Sequence, residues 1–171
     1  MSQSPAEVAT TPAGDCVIRL IGRGTMQHSP AVQELVVQTL QRDAATRVAI
    51  DLAGCTYLDS TFLGSLFGIY QRYGGERPQA RLKLHAPAAT IKTLFGSLKL
   101  DRYIKADPSP APPTQGTWVP LEAQVTDNPQ ACSRHVMECH RRLAEMDTPA
   151  KAAFAKIADA MERDLGSAAG M

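Results

Sequence analysis

The sequence predicts an α/β fold, in which a mostly parallel sheet of about 4–5 strands is covered by helices and followed by a C-terminal α-helical hairpin. Short β-branched segments ending in glycine alternate with amphipathic segments of helical period over residues 16–98. The connections between these segments are short, which favours parallel strands joined by helical crossovers. Two further segments with apolar residues at helical spacing follow a proline-rich stretch near the C-terminus.

The elements of the sheet domain follow from local patterns. Residues 1–13 are small and polar, which predicts a flexible tail or at most a weak edge strand. The predicted strands are residues 16–22, 47–54 and 81–85, with an optional short last strand at 102–106. The predicted helices are residues 30–43 after the N-cap candidate Ser29, a helix carrying Leu63, Leu66, Phe67 and Tyr70 that stops at Gly74, and a helix opened by Pro87.

The C-terminal part predicts a linker and a pair of helices. Residues 107–120 contain five prolines and no periodicity, which predicts a linker or an extended surface strap. Residues 121–171 predict an antiparallel hairpin broken at Asp147-Thr148-Pro149. Each of the two helices carries a stripe of apolar residues, called here its seam. The hairpin alone cannot bury both seams, so it must pack on the α/β part or on a second chain, and a homodimer through the hairpin is one option. The seam residues are Cys132, Val136, Cys139, Leu143 and Met146, then Ala150, Phe154, Ile157 and Met161.

Size and composition narrow the function classes. The chain has 171 residues, 44% of them hydrophobic, and its 18 Lys and Arg balance 17 Asp and Glu without clustering. A nucleic-acid partner is therefore not expected, because phosphate binding needs a concentrated positive surface. No stretch resembles a signal peptide or the ~18 to 20 apolar residues that cross a bilayer. With four cysteines outside any disulfide framework, these features predict a cytoplasmic protein without membrane insertion.

Several motif-like patterns favour structural roles. Residues 22–27 begin like a dinucleotide fingerprint, but Gln27 stands where the third glycine belongs. Ser65 is one residue early for a nucleophile elbow. Zinc is suggested by Cys132, His135, Cys139 and His140, yet the two cysteines would lie about 10.5 Å apart along a helix. We therefore expect no cofactor, no metal and no catalytic residues.

The strongest candidate site is Asp59-Ser60-Thr61, between a predicted strand and a predicted helix. Loops at the carboxyl ends of parallel strands carry the functional groups of such sheets. One interpretation is that Asp59 or Ser60 caps the helix, a role worth ~1 kcal/mol. The other is that Ser60 is phosphorylated, since a charge of about −2 is tolerated at the positive end of the helix dipole. The two interpretations are compatible.

The segment 48–104 resembles the STAS domains of bacterial anti-sigma factor antagonists. It contains IDLAGCTYLDST, then a helix, a glycine pair, a strand and LFGSLKLDRYI, in the order found in that family. With the upstream CVIRLIGRGT, the resemblance predicts a STAS domain over residues 14–106 and a STAS-like sheet.

The resemblance implies a binding protein rather than an enzyme. It places Ser60 at the family's phosphoacceptor, with Thr61 as second choice and Asp59 as the preceding acid. The implied partner is an anti-sigma factor that is also an ATP-dependent serine kinase, and its phosphorylation of the serine inactivates the antagonist. The expected partner-binding residues are Asp59, Ser60, Thr61, Phe62, Gly64, Thr25 and His28.

Three departures from the family pattern keep an alternative open. Phe62 replaces the usual glycine, the loop GRGTMQHS replaces a more acidic segment, and the hairpin lies outside the pattern. The alternative is a non-switching STAS adaptor or scaffold, or a soluble subunit of a larger assembly such as one for lipid transport or stress signalling. The sequence also leaves open whether the hairpin shields the Ser60 surface.

Overall fold

The computed structural model describes residues 4–123 and 128–170 of the chain. They form a five-stranded sheet with the spatial order β4-β3-β2-β1-β5, against which three helices pack, and a helical hairpin that follows it. The strands are β1 Ala6–Thr10, β2 Cys16–Gly24, β3 Val48–Leu58, β4 Leu82–His85 and β5 Gln115–Pro120. The helices are α1 Ser29–Arg42, α2 Ser60–Tyr73, α3 Ala88–Phe95, α4 Pro129–Ala144 and α5 Lys151–Ala169.

The sheet is parallel at one side and antiparallel at the other. β3 pairs in parallel with both β2 and β4, as the short helical crossovers require. β1 pairs antiparallel with β2 and with β5. The α/β class and the number of strands are thus as predicted, while the sheet is mixed because two strands lie outside the alternating segments.

β1 and β5 differ from the elements that the sequence predicts for their stretches of the chain. β1 lies in the stretch predicted as a tail, and it is an inner strand because β2 and β5 flank it. β5 lies in the stretch predicted as a linker. Neither strand shows apolar alternation over its full length. Most side chains of β5 are exposed, so backbone pairing with β1, rather than side-chain burial, holds this strand in place.

The segment predicted as an optional last strand is not one. Leu100–Arg102 forms a turn of 3-10 helix, and Ile104 is buried beyond it. In the described part of the chain, a single bridge between His85 and Asp107 extends the sheet beyond β4. Residues 108–114 then cross from the β4 side of the sheet to β5, which is the strap that the prolines predict.

One apolar core joins the sheet, the helices and the hairpin. Its strand residues include Ile18, Ile50 and Leu84, which alternate with residues of the opposite face. The hairpin contributes Leu143, Met146 and Phe154 to the same core. The hairpin therefore packs on the α/β part of its own chain, one of the two options that its seams predict.

The two hairpin helices are also joined to each other. The guanidinium of Arg141 on α4 donates from one nitrogen to Asp159 at 2.8 Å and from the other to Glu162 at 2.9 Å, both on α5. Within the described residues, no helix is long and apolar enough to span a bilayer.

Candidate functional site

The candidate site lies where β3 ends and α2 begins. Asp59 is the N-cap of α2, and its Oδ1 accepts a hydrogen bond of 2.8 Å from the backbone N–H of Phe62. Its Oδ2 accepts a second bond of 2.7 Å from the N–H of Met26, in the loop between β2 and α1. Of the two predicted caps, Asp59 therefore does the capping. The hydroxyl of Ser60, the first residue of α2, is left for another partner.

That partner is His140 on α4. Ser60 Oγ lies 3.0 Å from His140 Nε2, and His140 Nδ1 lies 2.7 Å from the carbonyl oxygen of Val136. Because a carbonyl only accepts hydrogen bonds, Nδ1 carries a proton, and in the uncharged ring Nε2 then accepts from the Ser60 hydroxyl. Ser60 is half-buried, whereas the His140 ring is only 6% exposed and meets Phe154 edge-on.

The Ser60 and His140 pair differs from a catalytic serine and base. In hydrolase triads a carboxylate orients the imidazole and stabilises its charged form. Here a neutral backbone carbonyl orients it. The pair is thus suited to hold α4 against the start of α2.

A second serine and histidine pair holds α4 to α1. Ser29 Oγ lies 2.8 Å from His135 Nε2, and Ser29 is fully buried. Ser29 is the first residue of α1 and makes no cap bond, which corrects its prediction as an N-cap: its hydroxyl points to α4 instead. Burial is the main cause that lowers the pKa of His135, with the charge of Arg142 adding to it and Asp59 opposing it.

Two glycines on α2 allow α4 to approach its backbone. A Cβ added to Gly64 would lie 2.8 Å from Cys139 Cβ, and one added to Gly68 would lie 2.9 Å from the guanidinium carbon of Arg142. Real Cβ atoms do not tolerate contacts this short, so glycine is required at 64 for the helices to meet. Cys139 is fully buried in this contact, and burial raises the pKa of its thiol to about 12.

The expected partner-binding residues differ in exposure. Thr61 is 3% exposed and Phe62 is 1% exposed, and Gly64 lies under α4. Phe62 belongs to the core and packs beside Gly24, whose missing side chain leaves room for the ring. A direct contact of Phe62 with a partner is therefore not available in this conformation.

The other expected residues border the site. Thr25 and His28 are half-buried in the loop that Asp59 holds, and His28 Nδ1 has no hydrogen-bond partner within the described part of the chain. Burial lowers the pKa of His28, while the charge of Glu122 opposes that shift. Beside them Met26 is 40% exposed and Tyr57 is 41% exposed, with the guanidinium of Arg23 stacked 3.9 Å above the Tyr57 ring.

The residues that bind α4 to this site have no recognisable pattern in the sequence. His135 and His140 were considered as metal ligands, but among the described residues no group of three or more His, Cys, Asp or Glu is placed to hold a metal ion. The signal that could have found the contact is the spacing of Gly64 and Gly68, which opens one stripe of an otherwise apolar helix to close approach.

Comparison with known proteins gives a family match over the sheet domain. A family model described as "Mlab, STAS domain" matches residues 8–105. No curated protein matches the chain. The matching solved structures include an anti-sigma factor antagonist from Mycobacterium paratuberculosis, which is 19% identical, covers 63% of this chain and 92% of that chain, and has a TM-score of 0.48. The family match ends before β5 and the hairpin.

Proposed function

The chain belongs to the family of Mlab-type STAS domains, and from that premise we propose that it is a phospho-switchable binding protein. In this proposal it is an anti-sigma factor antagonist that binds an anti-sigma factor with serine kinase activity. Phosphorylation of Ser60 by that kinase, with ATP, inactivates it.

The observation that carries the proposal is that Asp59 caps α2 and Ser60 does not. Asp59 makes the cap bond to the N–H of Phe62, so modification of the Ser60 hydroxyl leaves the cap intact. A phosphate on Ser60 would sit at the first residue of α2, where the free N–H groups and the helix dipole favour negative charge. Burial also supports Ser60 over Thr61, which is 3% exposed.

The surface next to Ser60 offers contacts to a protein partner. Met26 and Tyr57 are exposed apolar groups, and Arg23 adds a positive charge over the Tyr57 ring. Aromatic rings, methionine and arginine are enriched in protein interfaces. We place the partner contact on this edge together with the exposed part of Asp59-Ser60.

Phosphosite mapping tests the proposal. The full chain is incubated with ATP and its cognate kinase, and intact-mass and fragment analysis locate the phosphate. We expect one phosphate on Ser60, none on Ser60→Ala, and unchanged labelling of the matched exposed variant Ser109→Ala. Ser60→Glu should also lose binding to the anti-sigma factor. A phosphate on another residue, or wild-type binding by Ser60→Glu, would refute the proposal.

The second candidate is a STAS adaptor that does not switch, and the packing of α4 on α2 favours it. In that case the bond between Ser60 and His140 is permanent, and Ser60→Ala lowers only the free energy of unfolding, by about 1 kcal/mol. Replacement of Ile157, an apolar residue of α5 that is 42% exposed, by a charged residue would then disrupt a larger complex, which light scattering detects. Binding that responds to Ser60→Glu but not to Ser60→Ala separates the two candidates.

A further inference from the structure

We propose that the α4–α5 hairpin is an intramolecular cover for the Ser60 face of α2, and that negative charge on Ser60 releases it. The biological role of this coupling rests on the proposed function, whereas the coupling itself is a property of the chain. Covered and uncovered forms would differ in the surface that a partner meets, because α4 occupies the α2 groove in one of them.

The first support is the closeness of the two helices. At Gly64 and Gly68 the atoms of α4 lie where side chains would otherwise project from α2. While α4 is docked, no other helix can occupy the same groove.

The second support is the direction of the hydrogen bond at Ser60. The hydroxyl donates to His140 Nε2, because the Nδ1 proton is engaged by the Val136 carbonyl. A phosphate dianion or a carboxylate has no hydrogen to donate, so it cannot replace this bond to an unprotonated nitrogen, and its added atoms would have to fit into the 3.0 Å between Ser60 Oγ and the ring.

The third support is that Arg141 and Arg142, two cations of α4 close to His140 in sequence, contact other groups. Arg141 binds Asp159 and Glu162 on α5. Arg142 packs on Gly68, which is about 12 Å along the α2 axis from Ser60. The group of α4 that Ser60 Oγ contacts is thus a single ring nitrogen of His140 and not an arginine fork, the usual partner that stabilises a phosphate.

The hairpin can leave as one unit. The ion pairs of Arg141 join α4 to α5 and do not involve the sheet domain. Release breaks the contacts to α1 and α2, the hydrogen bond of 3.1 Å from the Asp147 N–H to the Tyr103 hydroxyl, and the core contacts of the hairpin, but it keeps the ion pairs within the hairpin. The contacts broken include the Ser29 and His135 bond and the burial of Cys139.

Thiol labelling of the full chain tests the proposal without a kinase. Cys139 is buried only while α4 is docked, so its alkylation by iodoacetamide, followed by mass spectrometry for each cysteine, reports release. We expect Ser60→Glu to raise the Cys139 labelling rate by roughly tenfold or more, since a lost hydrogen bond and a charge mismatch act together. Cys16 and Cys55, buried in the sheet domain, should stay protected.

Two variants serve as controls. Ser60→Ala removes the hydrogen bond without adding charge and should give a smaller rise. Ser167→Glu adds the same charge at an exposed position of α5 and should leave Cys139 protected. Unchanged Cys139 labelling in Ser60→Glu would overturn the proposal. So would an equal rise at Cys16 and Cys55, because the charge would then unfold the chain rather than release the hairpin. Neither result depends on whether a kinase modifies Ser60, which phosphosite mapping decides.

Discussion

Asp59 joins three parts of the chain at the start of α2. Its carboxylate accepts from Phe62 and from Met26, and its own N–H donates to the Gly24 carbonyl at 3.0 Å. The loop between β2 and α1 is thereby fixed to the first turn of α2. This position matters because the carboxylate joins the exposed Met26 to the helix turn that carries Ser60.

Asp59→Ala should therefore destabilise the fold. It removes the helix cap and the bond to the Met26 N–H, and we expect a loss of about 2 kcal/mol in the free energy of unfolding. Urea denaturation followed by circular dichroism measures this loss. Asp101→Ala, at an exposed position, is the matched control and should change stability by less than about 0.5 kcal/mol. Equal stability of the two variants would show that the cap does not hold the site.

The contact between α2 and α4 depends on a small residue at position 64. Gly64→Ala improves helix propensity by ~1 kcal/mol, but the new Cβ meets the Cys139 main chain and side chain. We expect a net loss of docking, seen as faster Cys139 labelling and a lower unfolding free energy. Gly166→Ala in α5 is the control, because a Cβ there meets nothing within 4 Å. That change should stabilise the chain slightly, and a Gly64→Ala variant that behaved like it would contradict the close contact.

Docking of α4 should also weaken in mild acid. The pKa of His135 is lowered in the folded chain, mainly by burial, with Arg142 adding to the shift and Asp59 opposing it. As the pH falls below the ordinary value of about 6.5, the undocked form binds a proton that the docked form does not. Docking is therefore fully favourable above that value and is progressively lost as the pH falls towards the lowered pKa.

Hydrogen exchange of α4 amides, corrected for the intrinsic effect of pH, measures this dependence between about pH 7.5 and about pH 5.5. Wild type should lose protection at the lower pH, while His135→Gln should show less dependence because it cannot be protonated. His28, whose pKa is also lowered by burial, is retained in both proteins. Protection that falls equally in the two would assign the effect to other groups.

Across the whole molecule, sequence patterns predict those strands and helices whose formation depends on residues close together in the chain. β2, β3 and β4 carry apolar alternation and glycine ends, so their parallel arrangement follows from the sequence. β1 is held by pairing with β2 and β5, and β5 by pairing with β1, while neither AEVAT nor QGTWVP shows an apolar run closed by glycine. Thr61 and Phe62 were expected to face a partner because of their place in the motif, which does not reveal that the fold buries them.

The cover over Ser60 is a long-range feature. The cap and the phosphoacceptor position follow from Asp59-Ser60-Thr61, whereas His140 lies 80 positions further along the chain. Its approach depends on the hairpin seams, on Gly64 and Gly68, and on the tautomer that the Val136 carbonyl selects. Seam spacing predicts that the hairpin packs somewhere, but only the fold brings it to α2.

The most direct measurement is hydrogen exchange on the full chain with phosphoserine incorporated at position 60 by genetic-code expansion. Its comparison is the unmodified chain at neutral pH. The account predicts that Pro129–Ala144 loses protection in the phosphorylated chain while Val48–Leu58 keeps it. Unchanged or increased protection of Pro129–Ala144 would contradict it.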